Sequence, residues 1–430
     1  MKAAILTVGD EVLIGQVVNT NASFLSKALF EIGIPVERVI TIPDTEKDII
    51  REFSNAIELY DLVISSGGLG PTHDDITVKC LAKVFGKKLV FHQQTYDRIK
   101  SIFERRKFPV PGNIKQQAMM PEGAVLFENK MGTAPGILVH KGKKIFCALP
   151  GVPYELEYIT SNSLIPLLKN LKGPKDKVLL QKTLHTIGIA ESFLSQRLGN
   201  LDKLLLKDKD SSIRLAFLPS NYEVRLRITI EAKSIDKAQR LLDRTIGIIK
   251  TKAKNYIYSY DEKPIEEELG RILVKKHLTI SAAESCTGGL VSSKLTNISG
   301  SSAYVMAGVV TYADESKMKI LGVKKSTLIK HGAVSKETAM EMARGVRKLA
   351  KTDIGISTTG IAGPTGAVAG KPIGLVWIGY ADKNRSFAQE FIFTKDRLRN
   401  KEAMSKMALE VARRELLNIH EFPRRRKSNH

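Results

Sequence analysis

Three cysteines in 430 residues, Cys80, Cys147 and Cys286, are odd in number and far apart. They exclude a disulfide framework and any compact cysteine-only metal site. No apolar run approaches the roughly 18–20 residues of a membrane helix. The opening MKAAILTVGDE reaches its acids too early for a signal peptide, so a cytoplasmic protein without a membrane partner is expected. Aromatic residues are scarce, 6% with one Trp, and no aromatic-rich basic stripe, helix-turn-helix pattern or zinc spacing is present. Nucleic acid is therefore not the expected partner, although the formal charge of +22 raises it. No Gly-Lys-Ser/Thr follows the glycine-rich loop described below, which argues against a Walker-type nucleotide triphosphatase.

What is there suits folded protein: 43% hydrophobic and 26% charged residues, in a chain long enough for two or three domains. The positive charge is uneven. Basic residues number 20 against 18 acidic ones over 1–170, 19 against 14 over 171–270, and 28 against 13 over 271–430. The excess belongs to the last third, including a basic tail over 421–430 with Arg424, Arg425, Arg426 and Lys427.

Over residues 1–170, β-branched runs alternate with helical patterns: KAAILTVG then Asn21 to Ile32, PVERVITIP then Thr45 to Tyr60, DLVISSGG then Ile76 to Phe85. This α/β rhythm calls for a mostly parallel sheet with helices on both faces and ligands beyond the carboxyl ends of the strands. Residues 175–257 read as an α+β unit, a spacer or dimerisation module, and a homodimer is expected. Residues 264–420 return to α/β through LTISAAES, SAYVMAGVVTY, DIGISTTG, GLVWIGYA and FAQEFIFT. Three domains follow.

The first candidate site gathers at strand ends. One strand ends in Gly9-Asp10-Glu11 and continues through Gly15, Asn19, Thr20 and Asn21; another ends in Ser65-Ser66-Gly67-Gly68-Leu69-Gly70-Pro71-Thr72-His73-Asp74-Asp75. Glycines there let backbone N–H groups approach a phosphate or pyrophosphate. Asp74 and Asp75 beside such a loop would repel a bare anion, so they cap the next helix or a hard divalent cation sits between them and the ligand.

The run SGGLGPTHDDIT, with GDEVLIGQVVNTN before it and GTAPG and LPGVPYE after it, resembles the MoaB-like molybdopterin-binding domain that opens the CinA family, the competence- and damage-inducible proteins. The resemblance covers the whole first domain; Leu156 stands where the family usually has Met. It implies a metal-dependent ADP-ribose pyrophosphatase. Gly67, Gly68, Gly70 and Thr72 would cradle the diphosphate, and Asp10, Glu11, Asp74 and Asp75 would hold a divalent cation that lowers the pKa of the attacking water. Asn19 and Thr133 join the binding residues. Asp44 would bind a ribose hydroxyl or cap the helix that starts at Thr45.

The second candidate site is Ala283-Glu284-Ser285-Cys286-Thr287-Gly288-Gly289, between a strand and a helix. A small nucleophile at such a turn stands on a helix N-terminus whose amides could stabilise an oxyanion. Ser285 and Cys286 are both open as nucleophiles, and a phosphate loop without catalysis is the alternative. Downstream lie Thr311-Tyr312-Ala313-Asp314-Glu315-Ser316-Lys317, Thr358-Thr359-Gly360-Ile361-Ala362-Gly363-Pro364, Lys371-Pro372-Ile373-Gly374 and Asp396-Arg397. Together these resemble the carboxy-terminal CinA domain, over about 278–416, and are most specific at AESCTGG.

That resemblance implies an amidohydrolase converting nicotinamide mononucleotide to nicotinate mononucleotide and ammonia with no cofactor, and a KH-like middle domain. A KH loop of the form Gly-x-x-Gly is missing between Lys175 and Ile257. With no histidine in the motif, Lys317 is the natural base for Ser285, provided its pKa is lowered by burial near other cations. Tyr312 would line the site or relay a proton and Arg397 would clamp the phosphate, with Thr287, Gly288, Gly289, Thr359, Gly360, Gly363 and Lys401 as binding residues.

Departures from the family pattern are Lys395 for Gly, Lys401 for Arg, Ala367 for Gly, Ser316 for Ala and Leu375 for Thr. They touch phosphate geometry more than the nucleophile, so weaker affinity rather than an inactive domain is expected. The expected whole is a bifunctional pyridine-nucleotide salvage hydrolase. A non-catalytic pterin- or nucleotide-binding protein and a DNA-associated competence factor are the rivals.

Overall fold

The computed structural model describes residues 1–72, 75–105, 107–112, 114–171, 178–199, 211–220 and 222–419. The chain forms two compact units, one from Met1 to Leu180 with Glu231–Ala238, the other from Gln181 to Ile230 and from Gln239 onward.

The first unit is built on strands β1 (Ala3–Val8), β2 (Val36–Ile42), β3 (Leu62–Ser66), β6 (Val125–Phe127), β7 (Gly136–Lys141) and β8 (Lys144–Leu149), with β4 (Leu89–Phe91) and β5 (Met119–Pro121) as a separate antiparallel pair. The sheet order is β2-β1-β3-β8-β7-β6, the first four parallel and the last two antiparallel additions.

All six residues of β1 are buried, as a strand covered on both faces requires. Its alternation divides the core. Ala4, Leu6 and Val8 join Phe146 and Ala148 under the helices Glu46–Leu59 and Thr77–Val84, through Ile49, Phe53, Cys80 and Leu81. Ala3 and Ile5 join Leu62, Ile64 and Cys147 under the helices Thr20–Glu31 and Pro153–Ile159, through Leu25, Leu29, Leu156 and Ile159. The order reverses between β1 and β3, which opens a crevice at their carboxyl ends.

The middle module is a four-stranded sheet ordered β10-β11-β9-β12, from β9 (Val178–Ile187), β10 (Ser211–Ser220), β11 (Glu223–Ala232) and β12 (Ile257–Ser259), with the helices Glu191–Leu198 and Ile235–Ala253. Strand β10 is an addition to the sequence expectation. None of its ten residues is fully buried, and Leu215, Ala216, Phe217 and Leu218 are all half-buried in a row, so SSIRLAFLPS loses its alternation after the first half.

The last sheet contains β13 (Ile280–Glu284), β14 (Val305–Val310), β15 (Ile354–Gly360), β16 (Leu375–Ala381) and β17 (Ser386–Ile392), ordered β14-β13-β15-β16-β17. The first three are parallel and the last two antiparallel. On one face Ala282, Ile356 and Ile378 pack with Leu269 and Leu273 of the helix Ile265–Lys276 and Met404, Ala408 and Val411 of the helix Arg397–Leu416. On the other, Ala283 meets Met342 and Val346 of the helix Lys336–Ala350. Among the described residues no helix is long and apolar enough to cross a membrane, and all three cysteines are buried and free.

The helix Arg397–Leu416 carries a buried ionic knot. Glu410 accepts from Arg413 (2.7 and 2.9 Å) and from Arg414 Nε (2.6 Å), and Arg414 Nη2 donates to the Asn255 carbonyl oxygen (2.8 Å). Glu223 of β11 takes the Tyr258 hydroxyl and Lys406 Nζ, each at 3.0 Å. Removing one partner of such a knot leaves guanidinium groups buried without a counter-charge. Glu410→Ala is expected to cost about 3–5 kcal/mol, read as a lower urea midpoint for the carboxy-terminal unit. A midpoint unchanged from the parent protein would show that the knot contributes nothing net.

Candidate functional sites

At the carboxyl ends of β1, β3 and β8 lies a cavity of about 530 Å³. Gly67, at φ 107°, leaves β3 against β1: a Cβ there would fall 2.2 Å from the Val8 carbonyl oxygen. Its own N–H donates to the Leu149 carbonyl, and its carbonyl accepts from Thr77 Oγ1 (3.0 Å). Gly68, Gly70 and Thr133 also border the cavity.

Asn19 caps the helix Thr20–Glu31 by accepting the Ala22 N–H, and its Nδ2 reaches Thr7 Oγ1 (3.0 Å). Thr133 accepts from Gln117 Nε2 (3.1 Å), while its carbonyl takes Arg98. Two further asparagines shape this cavity: Asn21, already part of the run over residues 9–21, and Asn129, which the sequence does not single out. Asn21 Nδ2 donates to Ser66 Oγ and the Gly151 carbonyl, which leaves its buried Oδ1 as an acceptor with no partner at the cavity wall. Asn129 fastens the 131–134 loop and donates to Glu155, whose carboxyl burial pushes up. A buried Asn such as Asn129 has no spacing signal in sequence.

The expected carboxylates divide. Asp44 does not cap the helix Glu46–Leu59: Thr45 does, accepting the Asp48 N–H, while Asp44 Oδ2 takes the Asp10 N–H (2.9 Å). Asp75 Oδ2 accepts both the N–H and the hydroxyl of Thr72 (2.8 and 2.5 Å), which locks the turn. Asp74 lies outside the described residues. Glu11, Asp44 and Asp75 border the cavity, but among the described residues no three His, Cys, Asp or Glu side chains come together as a ligand set. Of the expected carboxylates Asp10, Glu11, Asp74 and Asp75, the cavity is bordered by Glu11 and Asp75; Thr72 holds Asp75 Oδ2 alone, so Oδ1 makes no hydrogen bond among the described residues, while Asp10 sits exposed at the sheet end. A Mg²⁺-like ion needs only one or two carboxylates when substrate phosphates supply the rest, and that smaller requirement fits Glu11 and Asp75 beside the glycine loop.

In the carboxy-terminal domain Glu284 ends β13 fully buried. Its carboxylate accepts five hydrogen bonds: from Thr287 Oγ1 (2.6 Å), the N–H groups of Gly289 (2.9 Å), Val291 (3.0 Å) and Ser292 (2.8 Å), and Ser292 Oγ (2.7 Å). The amides at the start of the helix Leu290–Thr296 are therefore already occupied, and the expected oxyanion donors are not those N–H groups. Gly289, at φ 97°, supplies the left-handed residue that lets the chain turn into this helix.

Ser285 follows immediately, its N–H on the Thr358 carbonyl (3.0 Å). The Cys286 thiol is buried and pushed up to about 12 by that burial, which disfavours its thiolate near neutral pH. Thr287 Oγ1 also meets Thr358 Oγ1 (2.7 Å).

Strand β14 ends beside β13, the Thr311 N–H donating to the Glu284 carbonyl oxygen (2.8 Å). From that end hang Tyr312, exposed, and Lys317, buried. Lys317 Nζ donates to the Tyr312 carbonyl (2.9 Å) and lies 3.5 Å from Asp314 Oδ1. Its neighbours are thus an acceptor and a carboxylate, not the cations expected. Arg397 donates to the Gly363 carbonyl (2.9 Å) and to the Tyr312 hydroxyl (3.3 Å), which brings three expected residues together. Lys401 reaches the nucleophile turn, since a Cβ on Gly288 would lie 3.3 Å from its Nζ. Thr359 turns its hydroxyl to the Ala333 carbonyl (2.7 Å), and Gly360 packs against the Leu375 carbonyl. Asn400, which the sequence reading missed, clamps Ala362 and Thr394 through four hydrogen bonds and so holds the Gly363 loop beside Arg397.

Comparison with known proteins agrees with this division. Residues 4–170 match the family described as "Probable molybdopterin binding domain", residues 181–259 the "Damage-inducible protein CinA KH domain", and residues 262–416 the "CinA C-terminal domain". A CinA-like protein of Chloroherpeton thalassium is 44% identical over 428 residues, covering 97% of this chain and all of that protein. One of Kosmotoga olearia is 43% identical over 422 residues with the same coverage. A solved structure of the protein CinA from Thermoplasma acidophilum, described as of unknown function, is 35% identical, covers 40% of this chain and 98% of its own, and has a TM-score of 0.36. With the glycine-loop domain, the KH-type module and the AESCTGG domain in that order, the chain belongs to the CinA family.

Proposed function

We propose that this CinA-family protein is a hydrolase with two active sites, an amidohydrolase acting on nicotinamide mononucleotide and a metal-dependent pyrophosphatase acting on ADP-ribose. One observation carries the amidohydrolase reading: Ser285 follows a carboxylate saturated with hydrogen bonds at the end of β13, and β14, paired in parallel with that strand, leads into the buried Lys317.

In the amide reaction Ser285 Oγ attacks the carboxamide carbon as Lys317 Nζ takes its proton. The proton passes to the leaving nitrogen, ammonia departs, and water then cleaves the nicotinoyl ester to nicotinate. Lys317 Nζ donates to the Tyr312 carbonyl, a bond it would give up in taking the serine's proton. Arg397 and Lys401 hold the phosphate.

In the first domain the glycine loop would receive the diphosphate, Glu11 and Asp75 would hold a divalent cation, and the Asn21 Oδ1 acceptor would meet a ligand hydroxyl or N–H. When bound, such a cation would supply charge neutralisation and make water a better nucleophile.

The direct test incubates the protein with nicotinamide mononucleotide and, separately, with ADP-ribose plus Mg²⁺ or Mn²⁺, scoring ammonia and AMP. EDTA is expected to abolish AMP release and leave ammonia release unchanged. Equal loss of both, or of neither, contradicts two independent sites.

Ser285→Ala and Lys317→Met are each expected to lower ammonia release by several orders of magnitude, and the double variant by little more, since the pair acts as one unit. Cys286→Ala stays active. Burial raises the Cys286 thiol, so Cys286 is expected to resist thiol reagents in the folded protein. An inactive Cys286→Ala beside an active Ser285→Ala would move the nucleophile to the cysteine.

Glu284→Gln places an amide NH₂ among N–H donors. It is expected to lower kcat at least tenfold with a smaller change in KM, because it displaces the nucleophile rather than the phosphate clamp. Arg397→Lys is expected to do the reverse and raise mainly KM. A KM-only effect of Glu284→Gln would remove the positioning role.

A further inference from the structure

At the amino-terminal end of β15, the sheet end opposite Ser285, the helix Lys336–Ala350 and the β16–β17 turn border a concavity of about 750 Å³. Arg344, Arg347, Lys348 and Lys351 line it at i, i+3, i+4 and i+7, one stripe of the helix and its cap, and Lys383 joins them from the turn. None of these five has a carboxylate within 4 Å among the described residues.

Both acids at the rim are already engaged. Asp353 Oδ2 takes the N–H and hydroxyl of Thr279, each at 2.8 Å, with Arg347 close enough to help hold the carboxyl below its usual range. Asp382 takes the N–H groups of Asn384 and Arg385 and the Tyr380 hydroxyl. Arg385, at the same rim, pairs with Glu415. Arg344 and Arg347 are tethered through Nε, to Ser386 Oγ (2.6 Å) and the Asp353 carbonyl (3.0 Å), and among the described residues their Nη nitrogens make no hydrogen bond.

The helix dipole favours cations in its last turn, which accounts for Arg347 and Lys348. It does not account for Arg344, further up the helix, or for Lys383 on another element. Like charges at i, i+4 destabilise a helix, so the stripe carries a cost that an anion would remove. The volume is that of a small-molecule site, and no aromatic side chain lines it to stack a base.

We propose that this concavity binds a short polyphosphate chain, either inorganic tripolyphosphate or the tail of a nucleoside triphosphate. Recognition is by charge and by the guanidinium forks, with the base left unread. The site is separate from both proposed active sites.

Titration calorimetry on the full chain, in EDTA and at low salt, tests it with tripolyphosphate, ATP, AMP and a single-stranded dodecanucleotide. Tripolyphosphate and ATP are expected to bind within about threefold of each other, AMP at least 100-fold more weakly. The variant Lys348→Glu/Lys351→Asn/Lys383→Glu should lose at least tenfold for tripolyphosphate while melting at the parent temperature. Lys348→Gln, a milder change, should lose about threefold. No binding by the parent protein, or undiminished binding by both variants, overturns the proposal. So does ATP binding far tighter than tripolyphosphate, or oligonucleotide binding that tripolyphosphate does not displace.

Discussion

A carboxylate without solvent contact, Glu284, organises the carboxy-terminal domain. Hydrogen bonds to a charged group contribute about 1.5–3 kcal/mol each, and a buried carboxylate stripped of them would carry its full desolvation penalty. Five donors meet it, all from residues 287–292. That segment therefore has one conformation, and Ser285 is set by it. The same residue's carbonyl takes the Thr311 N–H, so the chain leading to Tyr312 and Lys317 starts from a second hydrogen bond to Glu284. The candidate nucleophile and its candidate base are thus positioned by one amino acid, through its side chain and its backbone respectively.

The first domain places its loop by closeness rather than around a carboxylate: Gly67 lies where only a hydrogen fits against Val8, its N–H and carbonyl tie to Leu149 and Thr77, and a Cβ on Gly151 would come to 3.4 Å from Gly67 Cα. This leaves the cavity wall lined by backbone and by side chains such as Asn21 that retain an acceptor. An open, glycine-bounded crevice suits an extended diphosphate. A closed turn with a rigid nucleophile suits attack at one carbon.

Much of this was legible in sequence because the signals are periodic or local. The period-2 alternation that divides β1 between two cores, the βαβ rhythm of the first domain, and the strand-turn-helix around Ser285 each depend on residues within a few positions of one another. The carboxylates were harder. Asp44 before a helix looks like a cap, yet Thr45 beside it takes that role and Asp44 reaches the Asp10 N–H just beyond the end of β1. Asp75, expected as a metal ligand, also ties one oxygen back three residues to Thr72. Choices between adjacent polar residues are made by local turn geometry, which composition does not encode. Asn400 and Asn129 escaped for a different reason: each joins segments through long-range contacts that have no sequence spacing.

The saturation of Glu284 also decides how this domain handles negative charge. A helix N-terminus is ordinarily a ready anion site, because its amides lack partners. Here Gly289, Val291 and Ser292 have given theirs to a carboxylate of the chain itself, so that end of the helix is satisfied before any substrate arrives. A phosphate must then be met by side chains, and those at hand are Arg397, already oriented by Gly363 and Tyr312, and Lys401 beside Gly288. The two are unequal. Arg397 offers a planar fork held in place, whereas Lys401 offers a point charge on a flexible stem. Where the backbone contributes nothing, the difference between a fork and a point charge falls directly on ligand affinity, while the geometry that Glu284 imposes on Ser285 is left untouched.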